Sequence, residues 1–199
     1  VKDLLYFRVD RKKKILVSTL LLALGFNKSD IVKEFYEKEI YTYDEKEKKW
    51  KTKFNPENYK SKNFTEEIID AKNKKTIIKK GEKINFLKAK KLASDGLKEI
   101  LVSNQYLLGK YLIKDVKIDE DEFKIGSEIN ETIIEKFIDA KIFSLELAYT
   151  NSINKGPYLL QTLLNDKNNS KNDAINEIYK VLRPGEPPTI EIATQIFNN

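Results

Sequence analysis

The sequence predicts an α+β fold in which a mainly helical domain is interrupted by an inserted α+β domain. Two observations indicate this organisation. Apolar residues recur at helical spacing near both ends of the chain, whereas the middle changes to alternating and repeated patterns. We therefore expect residues 1–36 and 156–199 to form one discontinuous, mainly helical domain, and residues 37–155 to form the inserted domain.

A helical hairpin is predicted near the start of the chain. Residues 15–24 form an almost wholly apolar helical segment, and Gly25 fits the position just after a helix C-terminus. Residues 27–30 supply capping residues for a second helix that continues through Ile31 to Tyr36. The pair is similar to a DNA-binding helix-turn-helix, but an apolar first helix is typical of a protein core, and we favour that interpretation.

The middle of the chain begins with a predicted β-hairpin and continues with an internal repeat. Residues 40–43 and 50–54 alternate around a charged turn, as hairpin strands do. In the repeat, a glycine, an asparagine, a helical stretch and a strand-like stretch recur, starting at Gly81 and again 45 residues later at Gly126. Two copies are too few for a solenoid, so we expect two related helix–strand units.

The two copies carry opposite charges. Residues 72–91 contain nine lysines and one acidic residue, Glu82. The basic residues of the first copy include Lys79, Lys80, Lys88, Lys90 and Lys91, and the acidic residues of the second are Glu128, Glu131, Glu135 and Asp139. Because phosphates repel carboxylates, we expect only part of the surface of this chain, whose net charge is +6, to face nucleic acid.

The last part of the chain returns to helices. An apolar face from Ala174 to Leu182 predicts one helix, and residues 190–197 predict the next. Between them, the sequence Arg-Pro-Gly-Glu-Pro-Pro-Thr forms a stiff turn, because its prolines restrict the backbone while its glycine does not. Thr189 is the predicted N-cap of the last helix. From local chemistry alone this turn is either a rigid connector or a loop that presents its side chains.

The composition excludes several classes of chemistry. The chain has no Cys and no His, which excludes disulfides, zinc fingers, thiol nucleophiles and serine–histidine dyads. Asp119, Asp121 and Glu122 are candidate ligands for Mg²⁺ or Ca²⁺, but their run lacks the spacing of an EF-hand loop, and we favour a solvated turn. We therefore expect no catalytic residue, metal site or cofactor in this chain. The absence of Met suggests that it is an excerpt from a longer polypeptide.

Two motifs resemble the β subunit of bacterial DNA-directed RNA polymerase. Residues 183–189, preceded by a helical Glu-Ile-Tyr-Lys-Val-Leu, are similar to the family's gate-loop segment. Residues 7–14, with the apolar segment that ends in Ala-Leu-Gly at position 25, are similar to a second segment of the same lobe of that subunit. The motifs follow the family's order and rough separation. The resemblance implies a lobe domain that carries the lineage-specific insertion of proteobacterial β subunits.

The resemblance also implies which residues meet DNA. Asp10, Arg11 and Arg183 match positions that line a pocket for the non-template strand near the downstream edge of the bubble. Arginine can contact a phosphate or a guanine edge with two hydrogen bonds, and aspartate can orient it. A solvated surface pair is the alternative for Asp10 with Arg11. The implied gate loop consists of Gly185, Glu186, Pro187, Pro188 and Thr189.

The resemblance implies that this segment is part of a nucleotidyltransferase. That enzyme is expected in the bacterial cytoplasm, at the nucleoid. The expected partners are DNA, the α, β′ and ω subunits and a sigma factor, with no membrane contact. Mg²⁺ and zinc are expected in other subunits, so this segment would position nucleic acid without performing chemistry. The alternative is a stand-alone basic adaptor that binds RNA or protein through the lysine-rich middle, although the chain carries no RNA-binding signature.

Overall fold

The computed structural model describes residues 3–59, 62–64, 66–152 and 154–198. These residues form both helices and strands, grouped in runs and arranged with several sheets, which confirms the predicted α+β class. The helices are α1 (Val17–Ala23), α2 (Lys28–Phe35), α3 (Phe86–Ser94), α4 (Glu131–Asp139), α5 (Tyr158–Asn165), α6 (Lys171–Leu182) and α7 (Ile190–Asn198). The strands are β1 (Tyr6–Arg8), β2 (Lys14–Leu16), β3 (Lys38–Asp44), β4 (Lys49–Lys53), β5 (Lys62–Asn63), β6 (Ile68–Asp70), β7 (Thr76–Ile78), β8 (Lys83–Ile84), β9 (Glu99–Val102), β10 (Val116–Ile118), β11 (Asp121–Phe123) and β12 (Ser144–Ala148).

The chain forms two compact units, each assembled from segments that are distant in sequence. The first consists of Val1–Lys38, Tyr111–Ser127 and Ala148–Asn199. The second consists of Glu39–Lys110 and Glu128–Leu147. The predicted insertion, residues 37–155, therefore contains the whole of the second unit together with residues 37–38, 111–127 and 148–155 of the first. Its assignment as an insertion stays a prediction.

The core of the first unit is mainly helical. Helices α1, α5 and α6 bury one face each, as their apolar spacing requires. The buried side chains on these faces include Leu22, Ala23, Leu160, Leu163, Ala174, Ile175 and Ile178. Helix α1 is therefore part of the core, which agrees with the interpretation favoured above over a DNA-reading helix-turn-helix.

Helix α1 begins later than its apolar pattern predicts and ends where predicted. Residues 14–16 form β2, in which Ile15 pairs with Phe7, so the apolar segment is a strand followed by a helix. Short apolar runs do not distinguish strand from helix by period alone, which explains the error. At the other end, Gly25 adopts a φ of 103° and donates its N–H to the Leu22 carbonyl, while Phe26 donates to Leu21. These two bonds form a Schellman cap.

Residues 111–127 complete the core of the first unit. Tyr111 and Ile125 are buried among its helices, and the Gln161 amide donates to the Tyr111 hydroxyl at 3.2 Å. A Cβ added at Gly126 would lie 2.2 Å from the Leu160 carbonyl oxygen, so this close approach of the backbone requires glycine. Strands β10 and β11 form a hairpin in this segment, and the exposed acidic run at 119–122 spans its turn and the start of β11.

A six-stranded sheet organises the second unit, in the order β12-β3-β4-β9-β6-β7. The predicted hairpin is confirmed: β3 and β4 are antiparallel, with Tyr41 opposite Thr52 and Tyr43 opposite Trp50. Trp50 is fully buried, and its indole N–H donates to the Asn104 side-chain oxygen at 2.9 Å. Burial of an aromatic ring with a satisfied polar atom stabilises the centre of the sheet.

The internal repeat is confirmed in the second unit as two related helix–strand pairs. Helices α3 and α4 each span nine residues, and each is preceded by an asparagine N-cap, Asn85 or Asn130. Both asparagine side chains accept a backbone N–H three residues later, at 2.9 Å. The strands that follow, β9 and β12, belong to the same sheet. The two copies thus share local structure while differing in charge.

Candidate nucleic-acid interface

A short hairpin in the first unit carries two of the three predicted DNA-binding residues. Strands β1 and β2 pair so that Arg8 is opposite Lys14, and residues 9–13 form the turn between them. The N–H groups of Val9 and Asp10 donate to the Lys13 carbonyl at 3.0 and 3.3 Å. The Asp10 carboxylate accepts the backbone N–H of Arg11, which holds the turn locally. The side chains of Asp10 and Arg11 are exposed to solvent.

Lys13 joins this turn to the end of α6. Its Nζ atom donates to the carbonyl oxygen of Leu182 at 2.8 Å. A cation at a helix C-terminus is favourable, because the last carbonyls have no partner within the helix and carry the negative end of the helix dipole. The bond brings the turn that carries Asp10 and Arg11 against the residue that precedes Arg183.

Arg183 caps the C-terminus of α6 with its backbone and extends its side chain towards solvent. Its N–H donates to the Tyr179 carbonyl at 2.8 Å, and its side chain is 53% exposed. One guanidinium nitrogen lies 3.6 Å from Glu186 Oε2. The Tyr179 hydroxyl donates to that same oxygen at 3.0 Å. Glu186 therefore links the proline turn both to the helix and to the guanidinium.

The predicted gate loop is an exposed turn with a defined backbone. Gly185 adopts a φ of 88°, a conformation that strains residues with a Cβ, and no atom lies within 4 Å of a Cβ placed there. The prolines at 187 and 188 lead into α7, whose first turn is capped by Thr189. The Thr189 hydroxyl accepts the Ile192 N–H at 3.4 Å, and its carbonyl accepts the Ala193 N–H at 2.9 Å. The predicted N-cap is confirmed.

Exposed aromatic and basic side chains surround Asp10 and Arg11 on the hairpin. Tyr6 and Phe7 are 45% and 46% exposed. The Lys14 ammonium lies 4.0 Å from the centre of the Tyr6 ring, a cation–π contact. Neither this hairpin nor the role of Lys13 is predicted from the sequence. Three-residue strands have too few positions for an alternating pattern, so only the Lys-rich turn was a signal for them.

A polar cavity of about 450 Å³ lies elsewhere in the first unit. Lys28, Asp115, Lys124 and Asp166 are among its lining residues. Desolvation lowers the pKa of Lys28, and the nearby Asp166 carboxylate opposes that shift. In the part of the chain that the structure describes, no group of three acidic side chains converges closely enough to hold a metal ion. None of the helices in that part combines the length and apolar character that crossing a membrane requires.

The chain is similar over its full length to β subunits of DNA-directed RNA polymerase. Those of Rickettsia conorii, Rickettsia felis and Rickettsia akari are each 38% identical to it over 201 residues. Each alignment covers 100% of this chain but only 14% of the relative. No family model matches the chain. Two distant motifs and similarity along the whole chain agree, so this chain belongs to the family of the bacterial RNA polymerase β subunit, of which it represents a segment.

Proposed function

We propose that this chain forms the lobe and gate loop beside the downstream DNA channel of a DNA-directed RNA polymerase and helps to hold the non-template strand. The observation that carries the proposal is the bond between Lys13 and the Leu182 carbonyl. It joins the turn of Asp10 and Arg11 to the helix end of Arg183, although these residues are more than 170 positions apart. Three residues that the family resemblance assigns to one pocket thus belong to segments in direct contact.

The chemistry of these residues suits nucleic acid. The guanidiniums of Arg11 and Arg183 are exposed, and each can contact a phosphate or a guanine edge with two parallel hydrogen bonds. Asp10 uses Oδ1 to accept the Arg11 N–H, so we expect Oδ2 to accept a base amino group. Lys12 is exposed on the same turn and adds a positive charge for the DNA backbone.

The proposed role is positioning, and the nucleotidyl transfer of the assembled enzyme would take place in other subunits. The expected partners are DNA, the α, β′ and ω subunits and a sigma factor, in the bacterial cytoplasm. Mg²⁺ and zinc would be bound elsewhere in the enzyme. The stand-alone adaptor is disfavoured, because the similarity to β subunits extends along the entire chain.

The test is the lifetime of the open complex formed by polymerase that carries Arg183→Ala. If Arg183 reads a base, the loss should depend on the sequence at the downstream edge of the bubble and reach about 1–3 kcal/mol on the preferred sequence. Lifetimes are measured at fixed salt on promoters that differ only at that edge, because phosphate contacts are sensitive to salt.

Arg183→Lys is the matched control, since it keeps the charge and removes the planar fork. It should retain the sequence-independent part of binding and lose the discrimination between promoters. If Arg183→Ala shortens the open-complex lifetime equally on every promoter, Arg183 contacts a phosphate and does not read a base. Unchanged lifetimes would restrict Arg183 to its capping role.

A second test concerns catalysis. We expect the isolated chain to perform no nucleotidyl transfer with Mg²⁺ present, because the carboxylates among the described residues are not arranged as a metal-binding catalytic group. Incorporation of labelled nucleotide on a primed template is the measurement, with complete polymerase as the positive control. Turnover that requires Mg²⁺ and copurifies with the chain would contradict the positioning role.

A further inference from the structure

Lysines of the first repeat copy are exposed on α3, on β8 and on the turn before β8 in the second unit. Lys90 and Lys91 lie on the outer side of α3, and the turn before β8 carries Lys79 and Lys80. Lys88 on α3 forms an ion pair with Glu82 in that turn, which holds the turn beside the helix. This contact and the Lys79 N–H lower the pKa of the Glu82 carboxyl. The surface is formed by Lys79, Lys80, Lys83, Lys90 and Lys91, and we call it the lysine surface.

Acids neutralise little of the charge of the lysine surface, although the Glu82 carboxylate attracts the Lys79 ammonium. Glu82, the acidic residue within this stretch, is already paired with Lys88. Across the described residues, no carboxylate forms an ion pair with any of the five ammonium groups of the lysine surface. Solvent-exposed lysines without acidic partners create a positive potential that attracts anions and is screened by salt.

The second repeat copy shows that the fold itself does not require this charge. Helix α4 has the same length, the same asparagine cap and a strand in the same sheet, but it carries Glu131, Glu135 and Asp139 on exposed positions. Helix α3 contains three lysines and no acidic residue. Two helices of equal length with the same asparagine cap therefore differ in the sign of their surface charge, so lysines are not required to form or cap a helix at this place in the repeat.

We propose that the lysine surface binds the phosphate backbone of double-stranded DNA without reading its sequence. Lysine is a flexible point charge, which suits phosphates in varied positions more than a planar base edge. Single strands are bound through exposed aromatic rings on which bases stack. On α3 the aromatic residue is Phe86, which is partly buried and covered by the Lys90 ammonium 4.4 Å from its ring centre. The surface therefore offers charge without a stacking platform, which favours duplex DNA.

This inference concerns the second unit and does not depend on Asp10, Arg11 or Arg183. The experiment uses the full chain and a short fluorescent DNA duplex, with binding followed by anisotropy at several salt concentrations. The variant is Lys83→Gln with Lys90→Gln and Lys91→Gln. Each lost phosphate contact should lower the slope of log affinity against log salt by about 0.9, so the triple variant should lose about 3 from the slope.

Two matched variants separate the effect of where the charge lies from the effect of net charge. Lys46→Gln, Lys53→Gln and Lys98→Gln remove the same charge from other exposed positions of the second unit and should leave the slope nearly unchanged. Arginine at positions 83, 90 and 91 should preserve the slope, because it keeps all three charges. Circular dichroism and thermal melting of each variant identify any that fail to fold.

Several outcomes would overturn the proposal. If the slope of log affinity against log salt is unchanged in the Lys83, Lys90 and Lys91 variant, the lysine surface does not bind DNA. An equal loss in the Lys46, Lys53 and Lys98 variant would show that net charge alone attracts DNA. Loss of binding to single-stranded RNA with duplex binding intact would assign the surface to a different nucleic acid. The role of Arg183 is decided separately, by promoter discrimination in the assembled polymerase.

Discussion

At the scale of single residues, Asp166 is a buried carboxylate whose two oxygens both accept hydrogen bonds. Oδ2 accepts the hydroxyls of Ser18 at 2.5 Å and Thr19 at 2.8 Å. Oδ1 accepts the backbone N–H of Asn168 at 2.9 Å and its side-chain amide at 2.8 Å. Lys28 donates to the Asp166 carbonyl at 3.0 Å. The residue therefore joins α1 to the loop between α5 and α6.

Replacing Asp166 by alanine should destabilise the chain by about 2–4 kcal/mol, because the buried hydroxyls of Ser18 and Thr19 lose their acceptor. Urea unfolding followed by circular dichroism measures the change. Asp139→Ala on the exposed face of α4 is the control and should change the free energy of unfolding by less than about 0.5 kcal/mol. A similar small change for Asp166→Ala would mean that water replaces the carboxylate.

Glu186 contacts two side chains at the end of α6. Its carboxylate is shared between the Tyr179 hydroxyl and the Arg183 guanidinium. Desolvation and the hydrogen bond to Glu186 raise the pKa of Tyr179 above its usual value of 10.0. We infer that Glu186 orients Arg183 and also competes with DNA for it.

Glu186→Gln in the assembled polymerase should therefore strengthen DNA retention, opposite in sign to Arg183→Ala. An exposed ion pair contributes about 0.2–1 kcal/mol, so we expect an increase of a few-fold at most in open-complex lifetime. Glu177→Gln, at an exposed position of α6, is the control with the same change in charge. A loss like that of Arg183→Ala would show that orientation by Glu186 outweighs competition.

At the scale of elements, the repeated asparagine caps allow one interaction to be compared in two copies. Asn85 and Asn130 each satisfy a backbone N–H in the first turn of a nine-residue helix. Side-chain caps matter most in short helices, whose unpaired end groups are a large share of their backbone. The two helices differ mainly in charge, so the cap should contribute similarly to both.

Asn85→Ala and Asn130→Ala should each lower stability by about 1 kcal/mol, whereas glycine at either position should cost only a few tenths. Thermal and urea unfolding of the four variants provide the comparison. A glycine variant as unstable as the alanine variant would indicate that the asparagine acts through packing and that the cap itself contributes little.

At the scale of the whole molecule, the first unit contains residues from the middle of the sequence. Tyr149 donates its N–H to the Glu37 carbonyl, and Ala148 donates to Tyr111, both at 2.9 Å. Leu112 donates to Ser127 at 3.0 Å. Residues 38, 111, 127 and 148 are the points where the chain leaves or re-enters the first unit. These hydrogen bonds therefore place them on neighbouring backbone segments of that unit. Short linkers could join them.

A double excision that joins residue 38 to 111 and residue 127 to 148 should leave a cooperatively folded first unit. A single excision of residues 37–154 should not, because it removes the buried Tyr111, Ile125 and Ala148, and losing large core side chains costs about 2–5 kcal/mol each. Thermal melting followed by circular dichroism compares the two. Cooperative melting of the single excision would show that the helices fold without the middle segments.

Features that depend on local chemistry could be predicted from the amino-acid sequence. The β3–β4 hairpin, the repeated helix–strand units, the Gly25 helix end and the Thr189 cap follow from periodicity and capping residues that act over a few positions. Two motifs were also enough to predict the polymerase β subunit family, which the similarity along the whole chain confirms. The exposed positions of Asp10, Arg11 and Arg183 agree with their predicted role, which stays a prediction.

Contacts between distant segments could not be predicted from the sequence and are seen only in the folded chain. Three features have no periodic pattern in the sequence that predicts them. They are the three-residue strands β1 and β2, the return of residues 111–127 to the first unit and the bond from Lys13 to Leu182. Their formation depends on burial and on hydrogen bonds between residues up to 169 positions apart. Such contacts offset the entropy of closing long loops only when the whole core forms, so no local pattern in the sequence can reveal them.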